Sequence, residues 1–202
     1  GLAFDEVETP WSSTDFTDAV LEAWPAPTEG CVVDVGGGEG YLLRAILQSR
    51  PNTRGVLFEL EQTAALARRR LRSAGLDGRC EVVTGDFFRE VPRGGDLYVL
   101  QHVLSEWDDH SARAVLRACQ RAMPPQARLL LIERKPACRD ARRGDSGFAM
   151  ALDMPELIAP GTRERGTHEY EHLLKSEGLR VVRVLNNVAG ALLIEARGMA
   201  AA

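Results

Sequence analysis

Cys31-Val32-Val33-Asp34-Val35-Gly36-Gly37-Gly38-Glu39-Gly40 is the stretch whose reading decides the fold. CVVDVG (31–36) is a short β-branched run and reads as a strand. YLLRAILQSR (41–50) spaces its apolar residues at i, i+3, i+4 and i+7, which makes it an amphipathic helix. Glycines between a strand and a helix remove the Cβ and permit positive φ, so a ligand can lie against bare backbone there.

The same alternation continues outward. GVLFEL (55–60), CEVV (80–83), DLYVLQ (96–101), ARLLLIE (127–133), RVVRVL (180–185) and GALLIEA (190–196) read as strands. QTAALARRRLRSAG (62–75), SARAVLRACQRAM (111–123) and THEYEHLLKSEG (167–178) read as helices. Near-continuous apolar strands joined by crossover helices imply an α/β protein with a Rossmann-like parallel sheet covered on both faces. Only NNVAG (186–190) separates the last two strands, as in a hairpin, so the final strand is expected to run antiparallel at or near an edge. ERKPACRDARRGDSG (133–147) is the one long polar loop, and it follows a strand, where α/β sheets gather ligands.

Bulk properties narrow the partners. The chain has 202 residues, 45% of them hydrophobic and 27% charged, enough for one domain with a real core. A formal charge of −4 supplies no field to gather nucleic acid or anionic lipid, so a small-molecule partner is expected. No apolar stretch approaches the ~20 residues of a membrane span, and GLAFDEVETPWSST (1–14) lacks the basic start and apolar core expected of a secretory signal. Cys31, Cys80, Cys119 and Cys138 lie far apart without a CxxC pair, which fits reduced thiols in a cytoplasmic protein.

The glycine spacing separates two ligand classes. A dinucleotide fingerprint requires G-x-G-x-x-G, whereas Asp34, Gly36, Gly38 and Gly40 form D-x-G-x-G-x-G, the pattern typical of methyltransferases that use S-adenosyl-L-methionine; a plain tight turn is the bland alternative. Glu59 ends the second strand, where a carboxylate can accept from both ribose hydroxyls. Asp86, in Gly85-Asp86-Phe87-Phe88, could receive an adenine amino group while Phe87 covers the ring, or could simply cap a turn. Trp107 could stack on the same adenine or belong to the core.

VVDVGGGEG, GVLFELEQ, GDFF-x-x-VP, LYVLQHVLSEWDD, LLLIE and PGTRERGTHEYEHLL together resemble the C-terminal catalytic domain of the plant caffeate-type and bacterial secondary-metabolite O-methyltransferases. The resemblance runs from Val32 to about Glu195 and implies a seven-stranded sheet with a reversed last strand, an aromatic small-molecule acceptor and a place in secondary metabolism or antibiotic biosynthesis. It also implies a helical N-terminal half that forms a homodimer and closes over the acceptor. Here residues 1–30 read as a linker in which FTDAVLEAW (16–24) resembles the family's linker helix, and 31–202 as the catalytic domain. The helical half is then absent, so either the chain is a fragment or a partner chain supplies the lid.

The family's base is a histidine in an H-D-W segment, flanked by two glutamates. Glu133 and Glu164 match the glutamates; the histidine position holds Ser105, in Leu104-Ser105-Glu106-Trp107. A serine without a partner base cannot take a phenolic proton. His102 is a candidate relocated base, since a helical turn would put it on one face with Ser105, although a satisfied core or surface histidine explains it as well. Gln101 stands where the plant enzymes carry a cofactor-contacting lysine. Asp153 begins Asp-Met-Pro-Glu where an acceptor-binding asparagine is usual, and Phe148, Met150 and Met154 could line an apolar acceptor pocket or a core. His168 and His172 read as a solvated helix face, so no metal is expected. O-methylation of a phenolic or polyketide-like molecule is the leading reading. A hydroxylase, decarboxylase or C-methyltransferase of the same fold, or a non-catalytic binding subunit, stays open.

Overall fold

The computed structural model describes residues 13–135 and 163–199. In chain order the elements are α1 (Thr14–Ala23), β1 (Glu29–Val35), α2 (Tyr41–Ser49), β2 (Asn52–Glu59), α3 (Glu61–Ser73), β3 (Cys80–Thr84), β4 (Leu97–Gln101), a 3-10 turn (Leu104–Glu106), α4 (Asp109–Ala122), β5 (Arg128–Arg134), α5 (Thr167–Ser176), β6 (Leu179–Val188) and β7 (Ala191–Gly198). The strands form one sheet in the order β3-β2-β1-β4-β5-β7-β6. β1 to β5 pair in parallel, while β7 runs antiparallel to both β5 and β6. The reversed last strand therefore lies one place in from the edge, and β6 takes the edge itself.

Period-two side-chain alternation divides the core between the two faces of the sheet. Val33, Val35, Tyr98, Leu100, Leu129 and Leu131 pack with α4 and α5. Val32, Leu57, Leu97, Val99, Leu130 and Ile132 pack with α1, α2 and α3. Both faces are apolar, which is why the strands read as unbroken hydrophobic runs. Ser13 starts α1 by accepting the Phe16 N–H at 3.2 Å, and Asp108 starts α4 by accepting the Ser111 N–H at 2.8 Å.

The hairpin is tighter than NNVAG suggests. β6 continues to Val188, leaving Ala189 (φ 48°) and Gly190 (φ 85°) as a two-residue turn, and Asn187 (φ 64°) sits within a register shift. Two polar asparagines masked a strand that backbone pairing carries through a bulge. Connections leave β1 and β4 toward opposite halves of the sheet, so the space beyond their C-terminal ends is a topological switch point. The glycine loop and the 102–107 segment flank that space.

Candidate functional site

Gly36, Gly38 and Gly40 all take left-handed backbone, with φ of 68°, 57° and 80°. A Cβ at Gly36 would stand 2.9 Å from Val103 Cγ2, one at Gly37 2.5 Å from Asp34 Oδ2, and one at Gly40 2.8 Å from Leu57 Cδ1. A Cβ at Gly38 would meet nothing within 4 Å. Protein atoms thus close the loop at three glycines and leave free space over the fourth. Glu59 reaches the same place: its Oε2 accepts the Gly38 N–H at 2.9 Å and its Oε1 accepts the Leu60 N–H at 2.7 Å.

Asp34 is buried against Gly37, and its Oδ1 has no hydrogen-bond partner. Burial, reinforced by the Glu59 carboxylate, pushes its carboxyl up to about 7. Three aromatic rings pack together beside the loop. Phe87 lies near Gly36, Phe88 stacks edge-on to Phe87 with centroids 4.8 Å apart, and Trp107 stacks edge-on to Phe88 at 4.8 Å. The Trp107 Nε1 is buried and makes no hydrogen bond among the described residues. Asp86 is exposed and behaves as a turn cap: its Oδ1 accepts the Phe88 N–H at 2.9 Å and its Oδ2 stands 3.7 Å from Arg89. That cap holds the two phenylalanines in the wall, so the structural role comes first for Asp86. Gln101 is the last residue of β4, half-buried at the same end of the sheet.

On the far side of the crevice the residues are held by charge. Glu133, at the end of β5, is 0% exposed. Its Oε1 accepts the Leu104 N–H at 2.9 Å, while Oε2 has no partner in hydrogen-bond geometry among the described residues. Burial pushes the Glu133 carboxyl up to about 7, against the opposing pull of the Ser105 hydroxyl, the Leu104 and Ser105 N–H groups and the Arg165 guanidinium. Ser105 therefore has a neighbouring carboxylate after all, which corrects its reading as a serine without a base nearby; strand β5 supplies it from 28 residues away. The Tyr170 hydroxyl lies close to Glu133 and Arg165 but outside hydrogen-bond geometry, and burial raises its pKa.

His102 does not share a helical face with Ser105. The 3-10 turn begins only at Leu104, and His102 itself takes left-handed backbone at φ 55°. Its ring sits 6.1 Å from that of Phe16, and burial together with nearby Arg134 pushes its pKa down to about 4. Glu164 is exposed, between Arg163 and Arg165, which tie down the 3-10 turn. Phe148, Met150, Asp153 and Met154 lie outside the described residues, as does Cys138. Cys31, Cys80 and Cys119 are free thiols, the last two buried and pushed up to about 12 by burial.

Three residues of the site gave no usable signal in the sequence. Phe88 completes the aromatic wall. Glu106, in the 3-10 turn, lies within electrostatic reach of Glu59: partial desolvation and that carboxylate raise its pKa. Arg165 is fully buried in the wall behind the turn.

A Rossmann-like sheet with a reversed last strand thus carries a glycine loop and the Glu59 carboxylate at its switch point. The chain belongs to the O-methyltransferase domain family, which matches residues 12–180. It is 37% identical over 195 residues to the phenazine O-methyltransferase PhzM of Lysobacter antibioticus, covering 96% of this chain and 55% of that protein. It is 42% identical over 148 residues to the aclacinomycin 10-hydroxylase RdmB of Streptomyces purpurascens, covering 73% of this chain and 39% of that protein. Among solved structures, the O-methyltransferase NcsB1 of neocarzinostatin biosynthesis, in complex with S-adenosylmethionine and 2-hydroxy-5-methyl naphthoic acid, superposes with a TM-score of 0.73 at 33% identity over 92% of this chain and 56% of that one. The chain spans about half the length of the relatives it matches. Among the described residues no helix is long and apolar enough to cross a membrane.

Proposed function

We propose that this chain is the cofactor-binding part of a cytoplasmic S-adenosyl-L-methionine-dependent methyltransferase that methylates a hydroxyl of a small phenolic or polyketide-like molecule. The observation that carries the reading is the free space over Gly38 beside the Glu59 carboxylate. The residues present suit a sulfonium nucleoside. Glu59 can accept from two vicinal ribose hydroxyls, Phe87, Phe88 and Trp107 offer an adenine wall, and the bare loop leaves room for the amino-acid end. When bound, that cofactor supplies an electrophilic methyl group.

The chain's own contribution is orientation and proton handling. An in-line displacement depends on holding acceptor and methyl in near-attack geometry, and the pinned 104–107 turn forms one rigid side of the crevice. A neutral phenol must also lose its proton. Glu133, fully buried with its carboxyl near 7, can take that proton at neutral pH only through the Ser105 hydroxyl beside it. His102, held near 4, has too little proton affinity for that task. Closure of the acceptor site by a partner chain of a homodimer belongs to the same proposal.

A hydroxylase of the same fold is the second reading. Its support is the likeness to a relative named for hydroxylation; the expected placing of Ser105 where the resembled family carries its histidine accords with it. The two readings differ in product mass. With isotope-labelled S-adenosylmethionine and a panel of aromatic acceptors, O-methylation gives products heavier by one labelled methyl group. Products gaining oxygen instead would replace the first reading with the second, and Ser105→His would then be expected to favour methyl transfer.

A further inference from the structure

Arg165 is an arginine with 0% exposure, set between Glu164 and Gly166. A buried guanidinium is costly unless every donor finds an acceptor. Here Nη1 donates to the Leu104 carbonyl at 2.7 Å, Nη2 donates to the Trp107 carbonyl at 2.6 Å, and Nε donates to Asp109 Oδ1 at 3.0 Å. One planar fork thus spans the 3-10 turn from its first residue to the residue that closes it.

The turn needs such a clamp. Three-residue 3-10 turns have poor intrinsic hydrogen-bond geometry, and the two bonds inside this one, Glu106 N–H to Val103 and Trp107 N–H to Leu104, are both long at 3.3 Å. Tertiary groups supply what is missing. The Leu104 N–H is held by Glu133, the Ser105 carbonyl by the Arg163 N–H at 2.7 Å, and the two carbonyls at the ends by Arg165. Trp107 then leaves the turn in extended conformation, at φ −127° and ψ 152°, with its indole against Phe88.

We infer that Arg165 is a positioning residue for cofactor binding: by bridging the Leu104 and Trp107 carbonyls it sets the placement of the Trp107 indole in the crevice wall. The inference rests on the cofactor reading above. Lysine at this position keeps the charge but cannot bridge two carbonyls and a carboxylate at once, since an ammonium lacks the planar fork.

The test is a double-mutant cycle on affinity for S-adenosylhomocysteine, the demethylated cofactor, measured by calorimetry on wild type, Arg165→Lys, Trp107→Phe and the double variant. If Arg165 acts through Trp107, Arg165→Lys weakens binding about tenfold when Trp107 is present and less than about twofold in the Trp107→Phe background. Equal losses in both backgrounds, or wild-type affinity in a folded Arg165→Lys protein, would overturn the inference. Should Arg165→Lys fail to fold, Asp109→Asn removes the carboxylate that aims the guanidinium. It is expected to weaken binding roughly threefold only when Trp107 is present, and an unchanged or background-independent affinity overturns the inference equally. Absence of binding by the wild type would reject the cofactor reading and this inference with it, whereas wild-type binding with uncoupled losses would reject the inference alone.

Discussion

The two sides of the crevice are built by opposite means. On the β1–β2 side the chain removes side chains: glycines take left-handed backbone and Gly38 leaves space. On the β4–β5 side it inserts them: Glu133 and Arg165, both fully buried, bracket a three-residue turn. The first side is specified by backbone conformation, so a single methyl group can damage it. The second is specified by buried polar groups, so it responds to loss of a partner and to pH.

The largest expected effect breaks the first side. Gly40→Ala forces a left-handed alanine and drives its Cβ into Leu57, for a combined cost of about 3 kcal/mol. Denaturant unfolding is the measurement, and stability within 1 kcal/mol of wild type would show that the loop can relax.

Each side also hides one carboxyl raised to about 7, Asp34 and Glu133. For both, the folded pKa lies above the unfolded one, so the group's stabilising contribution is full below about pH 4 and is lost as pH rises through 7. Asp34→Asn and Glu133→Gln are therefore expected to leave melting nearly unchanged near pH 3.5 and to raise Tm by several degrees at pH 8, with about 3 kcal/mol the order of the effect. Asp34→Asn should gain more, because Asp34 starts from the lower ordinary value and its Oδ1 has no donor. Equal Tm changes at both pH values would remove ionisation from the explanation.

The smallest effect sharpens the contrast. Glu59→Gln keeps an acceptor for the Gly38 N–H, sets its amide NH2 against the Leu60 N–H, and loses the charge that strengthens hydrogen bonds from sugar hydroxyls. It should weaken S-adenosylhomocysteine binding by about 1.5 kcal/mol, roughly tenfold, with a fall in Tm well short of that loss. A matching fall in Tm would make Glu59 chiefly a loop anchor.

How much of this was legible in the sequence follows the same division. Strands and glycine loop were readable because period-two burial and positive φ each leave a residue-level mark: Val32 and Val33 pack on opposite faces, and Gly36, Gly38 and Gly40 sit where a Cβ is penalised or missing for a reason. The charged side was not readable. Arg165 lies among polar residues and resembles a solvated arginine, and its role arises only where β5, α4 and the start of α5 converge. The relation of Ser105 to Glu133 is likewise a cross-strand fact, and a helical spacing rule misplaced His102 because left-handed backbone there delays the turn to Leu104.

Calorimetry of S-adenosylhomocysteine with the wild-type protein and with Gly38→Ala tests the central claim most directly, because the added methyl group meets no protein atom within 4 Å. Wild-type binding, together with a Gly38→Ala protein that stays folded at a strain cost of about 1 kcal/mol yet binds at least about tenfold more weakly, is the predicted result. A wild type that gives no binding heat, or a Gly38→Ala protein that binds as well as wild type, would contradict it.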